Sequence, residues 1–225
     1  MIKFAGVTKQ YLSESGGIFD IDIEIPDNDF LFLVGASGAG KTTLLKLLLR
    51  EILPDRGEIF IEDHLISAKN FPDTNLLRRS IGMIFQDCRV LPDKNVFENV
   101  ALALEISNTP SMQIKQDVMD ALTQVNLVDK AFKYPSQLSA GELQRATIAR
   151  SIIGNRHLIL ADEPTGNLDP STSWEIMKIF KALEGKKTIL IATHNADIVT
   201  SMKKRVIHLK DGRLTSDKKF GTYAL

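Results

Sequence analysis

The chain has 225 residues, 44% of them hydrophobic and 25% charged, the balance of an ordinary globular domain, which excludes a mostly disordered chain. Its 28 basic and 28 acidic side chains cancel, which gives no support to a nucleic-acid binder working through a strongly basic surface. A single cysteine, Cys88, excludes an intramolecular disulfide and a cysteine-rich zinc site and fits a reducing compartment.

The N-terminal stretch lacks the long apolar run of a secretory signal, and no apolar run approaches the about 18–20 residues that span a bilayer. The longest, such as Phe30–Val34 and Leu158–Ala161, are strand-sized. Residues 18–25 read IFDIDIEI: Phe19, Ile21, Ile23 and Ile25 alternate with Asp20, Asp22 and Glu24, the period of a strand with one wet face. Such a strand belongs to an antiparallel sheet, for which Ile2–Val7 is a second candidate. Phe30–Val34 is continuously apolar, as a central strand covered on both faces would be. A glycine-rich stretch follows, then a leucine-rich helix over about 41–51 that reads as buried.

Further strands are expected at 58–61, 81–85, 158–161, 188–192 and 205–209, with Asp211-Gly212 turning into Arg213-Leu214. Between 85 and 157 the pattern is helical. Val96, Phe97, Val100, Ala101 and Leu104 form one stripe. Ile114, Val118, Ala121, Leu122 and Val125 form a second, and Leu143, Ala146, Ala149, Ile152 and Ile153 a third. A last helix over about 171–183 carries the stripe Ile176, Ile179, Phe180 and Leu183, with Trp174 standing away from it. Residues 215–225 read as a loose tail. The expected architecture is an α/β core of residues 1–86 and 157–225, interrupted by a helical subdomain over 87–156.

Gly35-Ala36-Ser37-Gly38-Ala39-Gly40-Lys41-Thr42 has the form G-x-x-x-x-G-K-[ST], set between a buried strand and a helix. Glycines let backbone N–H groups turn inward around phosphate oxygens, and the helix N-terminus adds its partial positive charge. In that pattern Lys41 reaches the terminal phosphates and the Thr42 hydroxyl ligates Mg2+. The strand Leu158–Ala161 ends in Asp162 and Glu163, the Walker B pattern. Asp162 is placed to hold the magnesium, and Glu163 to orient or deprotonate an attacking water. Leu138-Ser139-Ala140-Gly141-Glu142 opens the third helix, with Ser139 as a helix N-cap and the helix start as a second anion site. Asp169-Pro170 reads as an N-cap followed by proline at the first helical position.

The P-loop, the Ser139–Glu142 segment and the Asp162-Glu163 pair, in this order along the whole chain, resemble the nucleotide-binding domain of ABC ATPases. The resemblance implies the P-loop NTPase fold of that family: a mixed central sheet, an antiparallel β subdomain and a helical insertion. It implies ATP and Mg2+ as ligands. Tyr11 matches an aromatic that stacks on adenine, and Gln86 the Q-loop glutamine, a further magnesium ligand beside Thr42 and Asp162. Gly166–Asp169 matches the D-loop and His194 the switch histidine. The phosphate cradle then comprises residues 35–43, Thr43 included, with Ser139, Ala140, Gly141, Glu142 and Asp169 completing the nucleotide site. Lys41, Glu163 and His194 are the catalytic candidates. The usual signature is Leu-Ser-Gly-Gly-Gln, so Ala140 stands where a glycine is common. A need for φ > 0 there would cost alanine about 1 kcal/mol, whereas a right-handed helix start would tolerate it.

The family resemblance further implies a head-to-tail homodimer, in which Ser139 and Gly141 of one copy close over the nucleotide on the other's P-loop. The stretch Gly166-Asn167-Leu168-Asp169 resembles the subgroup of cell-division, lipoprotein-release and macrolide-export ATPases. Phe85–Val100 is nearest the cell-division members, which implies an integral membrane partner of the FtsX type, a place at the cytoplasmic face of the plasma membrane, and control of cell-wall hydrolysis. Val90, Leu91, Pro92 and Phe97 are candidates to receive a short helix of that partner; packing of the insertion against the core is the alternative for all four, and the equal of the first reading for Phe97. An ATPase subunit of a lipoprotein-release or macrolide-type exporter, or a nucleotide-gated scaffold with incidental hydrolysis, are the competing readings.

Overall fold

A computed structural model describes residues 1–11 and 16–223. In chain order the elements are β1 (Ile2–Gln10), β2 (Gly17–Ile25), β3 (Phe30–Val34), α1 (Lys41–Leu48), β4 (Arg56–Ile61), β5 (His64–Leu65), α2 (Thr74–Ser80), β6 (Ile81–Ile84), α3 (Val96–Glu105), α4 (Ser111–Gln124), α5 (Ala140–Ile152), β7 (Leu158–Asp162), α6 (Pro170–Ala182), β8 (Thr188–Thr193), α7 (Ala196–Met202), β9 (Arg205–Lys210) and β10 (Arg213–Lys218). They fall into two compact units, residues 1–78 with 184–225 and residues 79–183.

The first unit holds an antiparallel sheet of order β2-β1-β4-β5. Ile21, Ile23 and Ile25 point inward while Asp22 and Glu24 face solvent, as the alternation predicts. The period breaks at Asp20, which has φ 50°. The pairing slips there, with Val7 opposite Ile21 but Lys9 opposite Ile18. This bulge turns Ile18 into the core beside Ile21 and leaves Phe19 half-buried, because one extra residue resets which face a strand presents. The Arg213 guanidinium lies over the Phe19 ring, 5.5 Å from its centroid.

The same unit holds the mixed array β10-β9-β3-β8. β3 runs parallel to both β8 and β9, and β10 is antiparallel to β9. Every residue of β3 is buried, which is why it reads as an unbroken apolar run. β10 extends the hairpin as far as Lys218, so 215–218 are strand rather than tail. Arg205 explains the difference. Its Nε and Nη2 donate to the two Asp217 carboxylate oxygens at 2.8 and 2.6 Å, and its Nη1 to Asp29 Oδ2 at 2.9 Å. The bidentate pair with Asp217 keeps the guanidinium charged, raising its pKa further. Of the expected tail, residues 219–223 follow the last strand, and residues 224–225 lie outside the described residues.

The second unit holds the parallel pair β6–β7 and the helices α3 to α6. The three sequence stripes become its core: Val96, Val100, Ala101 and Leu104; Val118, Ala121, Leu122 and Val125; Ala146, Ala149, Ile152 and Ile153 are all buried. Phe97, Ile114 and Leu143 are only half-buried. Of the last stripe, Ile176 and Phe180 on α6 and Leu183 at its C-cap are buried and Ile179 is half-buried, while Trp174 stays 36% exposed. α5 lies close along β6, where Ser151 Oγ donates to Met83 O at 2.8 Å. Capping boxes start α3, from Asn95 and Glu98, and α5, from Ser139 and Glu142.

Candidate functional site

In the first unit, β3 delivers the chain into the loop 35–40 and α1 carries it away. Gly40 is the N-cap of α1 with φ 104° and ψ 2°, a conformation open to glycine and strained for other residues. A Cβ on Gly35 would lie 2.3 Å from the Leu209 carbonyl oxygen of β9, so only glycine lets the loop leave β3 against its neighbour. The Ala39 N–H donates to Ala36 O at 3.1 Å, which curls the loop. Lys41 is 8% exposed, and its ammonium donates to Gly35 O at 2.7 Å and Ala36 O at 3.2 Å. The loop thus wraps around its own cation, while Ala36, Ser37, Gly38 and Thr42 are exposed and Thr43 is buried. A buried lysine held by carbonyls, at the positive end of a helix, is a ready site for a phosphate chain.

Tyr11 comes from β1's end, and its hydroxyl lies 3.4 Å from Thr43 Oγ1. The ring predicted to stack on a base therefore reaches the helix that follows the phosphate loop. His194 is exposed directly after β8, where Asn195 caps α7 by accepting the Ile198 N–H at 3.1 Å. A cavity of about 380 Å³ lies against Gly35–Ala39 and the β9–β10 turn. Lys41, Thr42 and Tyr11 do not line it, so it is separate from the lysine side of the loop.

In the second unit, β7 buries Leu158–Ala161 and ends at the half-buried Asp162. Glu163 follows with φ 48°, a left-handed backbone that costs a non-glycine residue about 1–2 kcal/mol. The Gly166 N–H donates to Glu163 O at 3.1 Å and closes the turn. Strain of this kind concentrates where a side chain must be held in an uncommon direction. Gln86 is exposed after β6, and its Nε2 lies 3.5 Å from where a Gly166 Cβ would sit. The structure thus brings Gln86, the expected Q-loop glutamine, beside Gly166 of the expected D-loop.

Asp169 caps α6: its Oδ1 accepts the Thr172 N–H at 3.0 Å and the Ser171 hydroxyl at 2.5 Å. The Ser171 and Thr172 hydroxyls and the Thr172 N–H hold its carboxyl well below the usual carboxylate range. Ser139 caps α5. Its Oγ accepts the Glu142 N–H at 3.3 Å, and Glu142 Oε2 accepts the Ser139 N–H at 2.8 Å and its hydroxyl at 3.0 Å. The Ser139 N–H is the main cause of the lowered Glu142 pKa, with burial opposing it. Ala140 is the first residue of α5 and is exposed; its backbone is right-handed, so the replaced glycine carries no φ penalty. Gly141 is buried.

Thr42 in the first unit, and Gln86 and Asp162 in the second, each carry a hard oxygen (hydroxyl, amide and carboxylate), the kind of donor that suits Mg2+ and not a soft metal.

Several features had no signal in the sequence. Phe132 is 75% exposed and stacks on Phe97, centroids 6.2 Å apart and planes at 21°. It lies between two short 3-10 turns, where no periodicity marks it. Asn99, 2% exposed, bonds both the N–H and the carbonyl of Leu91, at 2.8 and 3.0 Å, and so shapes the segment 90–95. Cys88 Sγ donates to the buried Gln144 Oε1 at 2.6 Å, and burial pushes its thiol pKa up. A helix stripe shows which residues face inward, and not which polar atom each one meets.

The chain is similar to known proteins over most of its length. A family model described as ABC transporter matches residues 18–166. The cell division ATP-binding protein FtsE of Bacillus subtilis is 43% identical over 224 residues, covering 99% of this chain and 98% of that protein. FtsE of Escherichia coli K12 is 40% identical over 215 residues, covering 95% and 97%. Among solved structures, a dimeric post-hydrolysis state of the ATP-binding cassette MJ0796, bound to ADP and Pi, superposes with a TM-score of 0.87 at 30% identity, covering 99% of this chain and 100% of that one. No helix among the described residues is long and apolar enough to cross a membrane. The chain therefore belongs to the ABC transporter family, as an ABC-type ATPase similar to FtsE.

Proposed function

We propose that this chain is the ATP-binding and ATP-hydrolysing subunit of a membrane-associated complex that controls cell-wall hydrolysis in division. The carrying observation is the loop 35–40 closed around the buried Lys41 ammonium, in a chain that FtsE proteins match from end to end. In this reading residues 1–86 and 157–225 form the ATP-binding core and 87–156 the helical subdomain. Lys41 draws charge from the terminal phosphates while residues 35–43 donate N–H groups to them. Tyr11 stacks on the adenine. Thr42, Gln86 and Asp162 hold Mg2+, which when bound neutralises phosphate charge. Glu163 takes a proton from, or orients, the attacking water, and His194 positions it.

Two copies pair head to tail, and each supplies Ser139, Ala140, Gly141, Glu142 and Asp169 to the other's nucleotide. Neither half-site surrounds a triphosphate alone. A second helix start neutralises charge and excludes water, so ATP favours the closed dimer and hydrolysis opens it. The dimeric state of the MJ0796 cassette supports this pairing. The segment Val90–Pro92 with Phe97 and Phe132 is the surface for a partner of the FtsX type. Leu91 and Phe132 are exposed, and exposed leucine and phenylalanine side chains suit the apolar face of a short helix.

The test is phosphate release by the wild-type chain and by Glu163→Gln. The substitution is expected to lower the rate by about 10²–10⁴-fold, the range of a general base, while ATP binding persists. Hydrolysis at the wild-type rate would remove Glu163 from the role.

A further inference from the structure

The starts of α5 and α6, which carry the signature and D-loop motifs, touch each other. A Cβ built on Gly141 would lie 2.4 Å from Thr172 Cγ2, far inside the about 3.5–4.0 Å at which carbon atoms meet. Thr172 has little freedom to move aside. Its N–H is held by Asp169 Oδ1 at 3.0 Å, which fixes the backbone from which the side chain projects. A β-branched side chain in a helix is stiff at χ1, so its methyl has few other directions to take. One turn further along, Arg145 Nη1 donates to Glu175 Oε2 at 3.1 Å, so the two helices are registered at successive turns. Position 140, by contrast, is exposed and carries alanine.

We propose that Gly141 is the socket for the Thr172 methyl, and that this contact joins the signature and D-loop helices into one positioning unit. Thr172 is a positioning residue: it sets the angle at which Ser139 and Asp169 are presented together. Glycine at 141 is then required from inside the chain, by a neighbouring helix, in addition to any approach of nucleotide to its backbone. The positioning role rests on the head-to-tail dimer proposed above.

A double-mutant cycle separates the internal clash from a clash with nucleotide, because only the internal one is relieved by trimming Thr172. Gly141→Ala, Thr172→Ser and the double variant are made in the full chain carrying Glu163→Gln. Association with Mg-ATP is followed by sedimentation and thermal unfolding is followed without nucleotide. Gly141→Ala is expected to weaken association at least about tenfold and Thr172→Ser about threefold. The double variant should recover at least about fivefold over Gly141→Ala, the coupling typical of residues in contact. Its melting temperature should likewise exceed the additive expectation by about 2–4 °C. A double variant as weak as, or weaker than, Gly141→Ala in both measurements overturns the proposal. Recovery of melting without recovery of association overturns the positioning role and leaves only a packing contact. A Glu163→Gln parent that stays monomeric with Mg-ATP overturns the dimer and the positioning role with it, while the melting cycle, which needs neither, still decides the socket.

Discussion

Glu142 shows how much one side chain in the signature segment does locally. Its carboxylate accepts both the N–H and the hydroxyl of Ser139, and Lys130 Nζ lies 3.6 Å away. A glutamine, the commoner residue of the signature, keeps an oxygen for the cap but has no charge for the helix N-terminus. Because the Glu142 pKa is lowered from 4.5, its contribution is complete above about pH 4.5 and is lost as the pH falls through the lowered value. The wild type should therefore melt up to about 2–4 °C above Glu142→Gln at pH 7, the scale of ~1 kcal/mol for a chain of this size. That advantage should shrink below pH 4.5 and with added salt. An advantage that grows as the pH falls would show that the charge is not what the cap uses. Ala140 needs no compensation at all, since the helix begins at that residue.

At the scale of elements, side-chain hydrogen bonds decide what periodicity leaves open. Asn99 is the case with most at stake. Within α3 its amide holds Leu91 at both backbone groups and also donates to Lys94 O and Asn95 O, at 2.9 and 3.0 Å. Asn99→Ala removes these part-buried bonds, and should cost about 2–4 kcal/mol, several hydrogen bonds at roughly 1 kcal/mol each. Denaturant unfolding measures the loss, and a cost under about 0.5 kcal/mol would mean that water replaces the amide freely. Periodicity shows which face of α3 is apolar and says nothing of what the Asn99 amide binds. The same limit explains β10. Its residues, RLTSDK, carry no apolar alternation, because the strand is held by Arg205 and Asp217 rather than by a buried face.

For the whole molecule, the proposed cycle makes stability depend on nucleotide and on protein concentration together. A ligand present at about 100 times its Kd adds ~2.7 kcal/mol to the state that binds it, which for a chain of this length is about 5–10 °C in Tm. Glu163→Gln with Mg-ATP should show a rise of that order, increasing with protein concentration because the bound state is a dimer. Adding Lys41→Ala should remove it. A rise that persists without the lysine would place the nucleotide elsewhere, and a rise independent of protein concentration would argue for a monomer.

The order of the motifs, the central buried strand, the wet-faced strand of the antiparallel sheet and the helical stretch were all legible in the sequence by itself. Each is a local pattern: phosphate chemistry needs glycines at set spacings ahead of a lysine, and burial repeats every second residue in a strand or about every 3.6 in a helix. What the tertiary structure decided lies between residues far apart in the chain. Thr172 fills the space that Gly141 leaves, Phe132 covers Phe97, Gln144 meets Cys88, and Asp217 draws 215–218 into a strand. No spacing rule encodes these meetings, because they depend on how whole helices and strands are set beside one another, and only close packing brings such atoms within reach.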